Sequence, residues 1–150
     1  MTQIVVSVQG GEELARRIRK FGSSILDLSD AMNDVGDYLV GFFSGEVFVS
    51  RGGVIGKPWQ PLSDAYALEK AHEFPGRPDL IQSGDMNEGF RFTATRNSVG
   101  FYNTQDYFYF HDEGRGVPER KMMDVDRTRL TKIGQFIAQD LDRKMRRADV

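Results

Sequence analysis

Apolar side chains recur at helical spacing along the first third of the chain. This spacing predicts an amphipathic helix that starts after Ser24 and ends near Phe48. Ser24 with Asp27 three residues later resembles a capping box. Gly36 and Gly41 each lower helix propensity by about 1 kcal/mol, so we expect another backbone to pack closely against them. The apolar positions are Ile25, Leu28, Met32, Val35, Leu39, Phe42 and Phe43.

Three further helices are predicted. Glu12 to Lys20 has acids first and bases last, which matches the helix dipole. Ser63-Asp64 is a cap for a short helix from Ala65 to His72. Asp126 caps a closing helix, for which Phe136 lies beside the buried stripe. That stripe consists of Leu130, Ile133, Ile137, Leu141 and Met145.

Alternating patterns predict strands. The β-branched stretch from Ile4 to Val8 is typical of a short opening strand. From Phe90 to Asn103, apolar and polar residues alternate on both sides of a turn at Asn97-Ser98, which predicts a hairpin. The four aromatics from Tyr107 to Phe110 are more typical of core and sheet than of a base-stacking platform.

These elements together predict an α+β fold in a single domain of 150 residues. A small antiparallel sheet is packed by two long helices from opposite ends of the chain. Residues 50–78 form an insertion between the first long helix and the hairpin, and it consists of a mobile glycine-rich loop and a short helix.

Composition excludes several classes of protein. The net charge is −2, so the chain is not a basic nucleic-acid binder. The absence of cysteine excludes disulfides and thiolate metal sites. The first ten residues lack the pattern of a signal peptide, and no apolar run is long enough to span a membrane. We therefore expect no membrane association.

Candidate chemistry is sparse. Lys57 is followed by Pro58 and comes after a helix, which does not fit a phosphate-binding P-loop. His111, Asp112 and Glu113 are adjacent, and adjacent side chains diverge in a turn, so a metal or acid–base site is not favoured. We expect no cofactor, no metal and no catalysis. Trp59 lies between two prolines and either anchors its loop to the core or is buried at a subunit interface.

Charge is segregated along the chain. No Lys or Arg occurs from Ser23 to Ser50. An acidic stripe there, Asp27, Asp30, Asp34 and Asp37, is either a solvated face or a surface that meets positive charge. A basic end of the last helix, within one subunit or on its neighbour, is the obvious partner. It consists of Arg143, Lys144, Arg146 and Arg147.

The order of short motifs resembles the bacteriophage virion-morphogenesis family, the tail-completion and neck proteins of Mu-like and related tailed phages. These motifs are Trp59-x-Pro61-Leu62, a polar helix with Lys70, Leu80-x-x-Ser83-Gly84-x-Met86, a hairpin with Val99-Gly100, an aromatic-x-His111-x-x-Gly114 segment and Pro118-x-Arg120. The resemblance covers roughly Trp59 to the C-terminus.

This resemblance implies a non-enzymatic structural protein of the virion, assembled in the host cytoplasm and located at the head–tail junction. It implies a homo-oligomeric ring, commonly six-fold, that joins tail to head and contacts other neck or tail proteins. DNA passes through the lumen without specific binding. Tail completion, tail terminator and head–tail adaptor remain alternatives for its place in the junction. A small binding module without catalytic activity is the alternative from another class.

The ring implied by the resemblance gives the polar residues possible roles. A heterologous ring needs two complementary faces on each subunit, and the acidic stripe and basic end would serve as such faces. Alternatively, the acidic stripe lines the lumen and repels DNA phosphates. The interface or lumen candidates also include Arg51, Trp59 and Arg120.

Overall fold

The computed structural model describes residues 4–7, 27–73 and 84–148. The predicted helix from Glu12 to Lys20, the capping residue Ser24 and most of the Leu80–Met86 motif lie outside the described residues. The elements in chain order are β1 (Ile4–Ser7), α1 (Ser29–Ser44), α2 (Glu46–Val49), α3 (Asp64–Glu73), β2 (Phe90–Ala94), β3 (Ser98–Asn103), α4 (Phe108–Glu113) and α5 (Arg127–Ala148).

The three strands form one antiparallel sheet in the order β1-β3-β2. The predicted hairpin is confirmed, with Phe92 opposite Phe101. The opening strand is confirmed as well, because Val5 pairs with Gly100 on the other side of β3. Alternation along β3 buries Val99 and Phe101 and exposes Tyr102. The predicted α+β class is therefore confirmed.

Helix α1 covers the buried face of the sheet. Its apolar stripe is fully buried, and the Phe43 ring packs against Phe90 and Phe101 with centroid separations of 5.7 and 5.5 Å. The helix begins at Ser29, later than the sequence predicts. The backbone N–H of Leu28 donates to the carbonyl of Arg96 at 2.8 Å, which ties the chain to the hairpin turn just before the helix.

The far end of α1 also differs from the prediction. The helix ends at Ser44, and a break at Gly45 separates it from the single turn α2, so Phe48 lies in a second short helix. Gly45 has φ −110° and ψ −86°, which are not helical values. The break lets both Val47 and Phe48 turn into the core.

The two glycines of α1 have different surroundings. A Cβ atom on Gly36 would lie 2.3 Å from the ring of Phe92. The absence of a side chain at Gly36 therefore lets the Phe92 ring of β2 pack directly against α1. The close neighbour is a side chain, where the sequence predicts a backbone. In the part of the chain that the structure describes, nothing lies within 4 Å of the corresponding position on Gly41, so the predicted close packing is not found there.

Helix α5 packs on α1, so the two long helices lie in successive layers over the sheet. Asp126 caps α5 as predicted, because its carboxylate accepts the backbone N–H of Arg129 at 3.0 Å. Leu130 is 58% exposed, so its predicted burial is wrong, whereas Ile133 is buried. The Phe136 ring meets Tyr38 of α1 edge-on at 5.7 Å.

The aromatic run forms a helix, not a strand. Helix α4 begins because the N–H of Phe108 donates to the carbonyl of Gln105 at 3.1 Å, and it ends at Gly114, whose φ is +74°. Helical geometry sends Phe108 and Tyr109 into the core and leaves Tyr107 and Phe110 exposed. The prediction of extended geometry here is wrong.

The glycine-rich loop is closed by its own backbone. The N–H of Gly52 donates to Val47, that of Lys57 to Gly52 and that of Trp59 to Arg51, with N···O distances of 2.8 to 3.0 Å. A Cβ atom on Gly52, where φ is +77°, would lie 2.3 Å from the carbonyl oxygen of Lys57. The mobility of this segment stays a prediction. Among the described residues, no helix is both long and apolar enough to cross a membrane.

We expect Gly36→Ala to destabilise the fold by about 1–3 kcal/mol, because the added methyl group overpacks the contact with Phe92. Gly41→Ala is the matched control in the same helix, and we expect it to be neutral or stabilising by up to about 1 kcal/mol. Urea unfolding followed by circular dichroism measures both. Equal effects of the two substitutions would contradict this packing.

Candidate functional site

A fully buried carboxylate organises the region after the hairpin. Asp112 of α4 has 0% exposure, and its Oδ1 accepts the backbone N–H groups of Met122 at 2.8 Å and Met123 at 3.1 Å. Its Oδ2 accepts the ammonium of Lys121 at 2.9 Å. We call this set of contacts the Asp112 network. It fixes the segment that leads into α5 against α4.

The same segment is tied to the loop before α3. The indole Nε1–H of Trp59 donates to the carbonyl of Lys121 at 2.8 Å. The guanidinium of Arg120 donates through Nε to the carbonyl of Gln60 at 3.0 Å and through Nη2 to that of Pro61 at 3.4 Å. The backbone N–H of Arg120 donates to the carbonyl of His111 at 2.8 Å. Loop, α4 and connector therefore form one interlocked unit.

This unit borders a pocket of about 850 Å³. One wall is the loop before α3, with Leu62, and the first turn of that helix, with Tyr66. The pocket is also lined by Tyr107, which caps α4, by His111 within α4 and by Arg120 of the connector. A pocket of this volume is large enough for a drug-sized molecule or a few side chains of a partner.

His111 lines the pocket and forms no ion pair with a described residue. Burial lowers the pKa of His111 from its usual value, and the positive charge of Arg120 lowers it further. Its Nδ1 atom is buried and has no hydrogen-bond partner among the described residues. Both causes of the pKa shift favour the neutral imidazole. Among the described residues, no group of three or more potential ligands could hold a metal ion.

The structure divides the predicted acidic stripe. Asp30, Asp34 and Asp37 are exposed on one side of α1, and we call these three the acidic face. None of them makes an ion pair with a described residue. Asp27 precedes the helix and accepts the N–H of Ser29 at 3.0 Å, which, with the Ser29 hydroxyl, lowers the pKa of Asp27.

The predicted basic end of α5 is partly paired within the subunit. Asp140, which is buried, accepts Arg143 at 3.3 Å and Lys144 at 3.0 Å. Lys144 also donates to the backbone carbonyl of Asp27, and this contact joins the end of α5 to the start of α1. The exposed Arg146 pairs with Asp142. Among the described residues of one subunit, the contact of this basic end with the acidic stripe is the one to the backbone of Asp27, and a partnership between neighbouring subunits stays a prediction.

The remaining candidates occupy different environments. Arg51 is exposed, with a left-handed φ of +51°, whereas Arg147 is exposed near the end of α5. Trp59 and Arg120 are buried, with exposed fractions of 7% and 6%, so they stabilise the interior of the subunit. The anchor interpretation of Trp59 agrees with this position, and its ring packs edge-on against Phe48 at 5.4 Å.

Two features of the site escape sequence reasoning. The sequence predicts Asp112 in a turn with His111 and Glu113, whereas the helical geometry of α4 buries Asp112 completely. The pocket brings together residues nearly 60 positions apart along the chain, such as Leu62 and Arg120. The one sequence signal that points to contact among Trp59, His111 and Arg120 is that their motifs occur together in the resemblance.

Comparison of this chain with protein-family models, with curated proteins and with solved structures finds no match.

We expect Asp112→Ala to destabilise the fold by about 2–5 kcal/mol, because it leaves two buried N–H groups and an ammonium without their acceptor. Asp112→Asn should cost less, since an amide oxygen can still accept from the backbone. Glu119→Ala, an exposed carboxylate in the same region, is the control and should be near neutral. Urea unfolding measures all three, and an Asp112→Ala variant as stable as the control would refute the role of the network.

Proposed function

We propose that this chain is a structural, non-enzymatic protein of the head–tail junction of a tailed phage. Copies of it form a ring that joins tail to head and lets DNA pass through the centre. The ring is six-fold in the simplest case, and its partners are other neck or tail proteins. Tail terminator is the alternative position in the same junction.

The observation that carries this proposal is the convergence of the motifs behind the resemblance. Arg120 of the Pro118-x-Arg120 motif donates to the carbonyls of Gln60 and Pro61, inside the Trp59-x-Pro61-Leu62 motif. Its backbone N–H donates to the carbonyl of His111, in the aromatic-x-His111-x-x-Gly114 segment. Short motifs that match by chance have no reason to contact one another. Direct hydrogen bonds among three of them support a shared structural unit.

The acidic face supports a role at a surface between copies or around DNA. Three exposed carboxylates at helical spacing repel one another, and no cation among the described residues compensates them. In a closed ring, such a face either meets positive charge of a neighbour or lines the lumen. A negative lumen lets DNA slide, since it repels the phosphates.

The partial pairing of the basic end within the subunit favours the lumen. Arg143 and Lys144 are engaged by Asp140, so less positive charge remains for a neighbour's acidic face. The acidic face then needs no protein partner. Its function is to keep the wall of the channel from adhering to nucleic acid.

The second candidate function is a small binding module. The pocket of about 850 Å³ beside Trp59 favours it, because a protein whose work is to bind a ligand needs such a concave site. A protein that remains monomeric at all concentrations would fit this candidate and not the ring.

The triple variant Asp30→Lys, Asp34→Lys, Asp37→Lys tests the ring and the place of the acidic face. We expect mass photometry to show the same ring mass as the unchanged protein. We also expect the variant ring to retain duplex DNA in a mobility-shift assay at low salt, because its channel has become positive. The triple Asp→Asn variant is the control for loss of charge alone, and it should bind DNA more weakly than the Lys variant.

Two outcomes would count against this account. Dissociation of both triple variants into monomers would place the acidic face between subunits. A monomeric mass for the unchanged protein, also in the presence of head or tail fractions, would refute the ring itself.

A further inference from the structure

Arg120 is a buried cation that pairs with no anionic group among the described residues. Its exposure is 6%, and its guanidinium donates to two neutral carbonyl oxygens, those of Gln60 and Pro61. No carboxylate of a described residue forms an ion pair with it. Buried charges in proteins are ordinarily paired, because desolvation of a lone charge is costly.

The two buried carboxylates of the described residues follow that rule. Asp112 has the ammonium of Lys121 at 2.9 Å, and Asp140 has both Arg143 and Lys144. Arg120 differs from these two groups, because no described carboxylate pairs with it. Among the described lining residues, it is also the cation of the pocket.

The walls around Arg120 suit a group that carries both apolar and polar parts. Tyr66, Tyr107 and Val117 line the pocket and are each partly exposed, at 40%, 42% and 37%. Asp64 is the one carboxylate among the described lining residues, and it makes no ion pair with Arg120. The pKa of His111 is lowered by burial and then by the charge of Arg120, and the second cause is consistent with positive potential on this wall.

We propose that this pocket binds an oxyanion, a carboxylate or a phosphate, attached to an aromatic or aliphatic group. The oxyanion pairs with the guanidinium of Arg120, and the apolar part packs between Tyr66, Tyr107 and Val117. The planar guanidinium suits both oxyanions, since its donors match their spacing. This inference does not depend on the ring, because it concerns a pocket within one subunit.

Small probes test the proposal directly. N-acetyl-phenylalanine supplies a carboxylate beside a phenyl ring, N-acetyl-phenylalaninamide is its uncharged match, and phenyl phosphate supplies the other oxyanion. Calorimetry at low salt gives Kd, and NMR follows the ring signals of His111. His72, the second histidine of the chain, is not among the described lining residues and serves as an internal reference.

We expect at least one oxyanion probe to bind and to shift the His111 signals more than those of His72. The amide should bind at least about tenfold more weakly, because a charge-assisted hydrogen bond is about twice as strong as a neutral one. The tighter of the two oxyanion probes identifies the class of natural ligand. Equal affinity of acid and amide, or no binding of any probe up to about 10 mM, would overturn the proposal.

Arg120 also stabilises the fold, so the second test leaves it in place and changes a neighbouring residue of the pocket wall. Val117→Glu puts a carboxylate on the wall of the pocket, where it should compete for the guanidinium and weaken probe binding by about tenfold or more. Val117→Gln has nearly the same shape as Val117→Glu without the charge, so both variants lose the same apolar contact, and Val117→Gln should bind the probe about tenfold or more tightly than Val117→Glu. Equal binding by these two variants would contradict the pairing of the probe with Arg120. Near-UV circular dichroism verifies that both remain folded.

Discussion

The burial of one carboxylate is the constraint on which this architecture depends. Asp112 cannot lie in the core without acceptable partners, since an isolated buried charge is far more costly than a paired one. The backbone N–H groups of Met122 and Met123 and the ammonium of Lys121 supply them. The connector to α5 must therefore pass beside α4, and this path sets the position of everything that follows.

That path also creates the pocket. Once residues 120–123 are fixed against α4, Arg120 extends to the loop before α3 and Trp59 reaches back to the carbonyl of Lys121. The loop and the connector hold each other, and the space between the start of α3 and α4 stays open. A structural requirement, the satisfaction of Asp112, thus leaves a cation on the wall of a cavity. The pocket and the interlocked unit have a common cause.

The parts of the fold that follow from short-range pattern are predictable from the sequence. Alternation located the hairpin, and helical spacing together with Asp126 located α5. Pattern alone could not place the start of α1, because Leu28 is bound to the distant turn at Arg96. Nor could it separate strand from helix for the aromatic run, since buried aromatics suit both and the turn at Gln105 decides. The site depends on contacts between residues far apart in sequence, such as Arg120 with Pro61, and no local pattern reports those.

The proposed function assigns the polar residues to two kinds of work. Inside the subunit, Asp112 joins α4 to the connector through its pair with Lys121, and Asp140 pairs with Arg143 and Lys144 of its own helix. Outside it, the acidic face leaves three carboxylates without partners among the described residues, which suits a wall beside DNA. Both assignments belong to the proposal that the chain works as a ring of rigid copies.

Single-particle electron microscopy of the purified protein tests this proposal most directly. The account predicts closed rings with a central channel wide enough for duplex DNA and the acidic face turned toward it. Isolated subunits, or rings with that face on the outside, would contradict it.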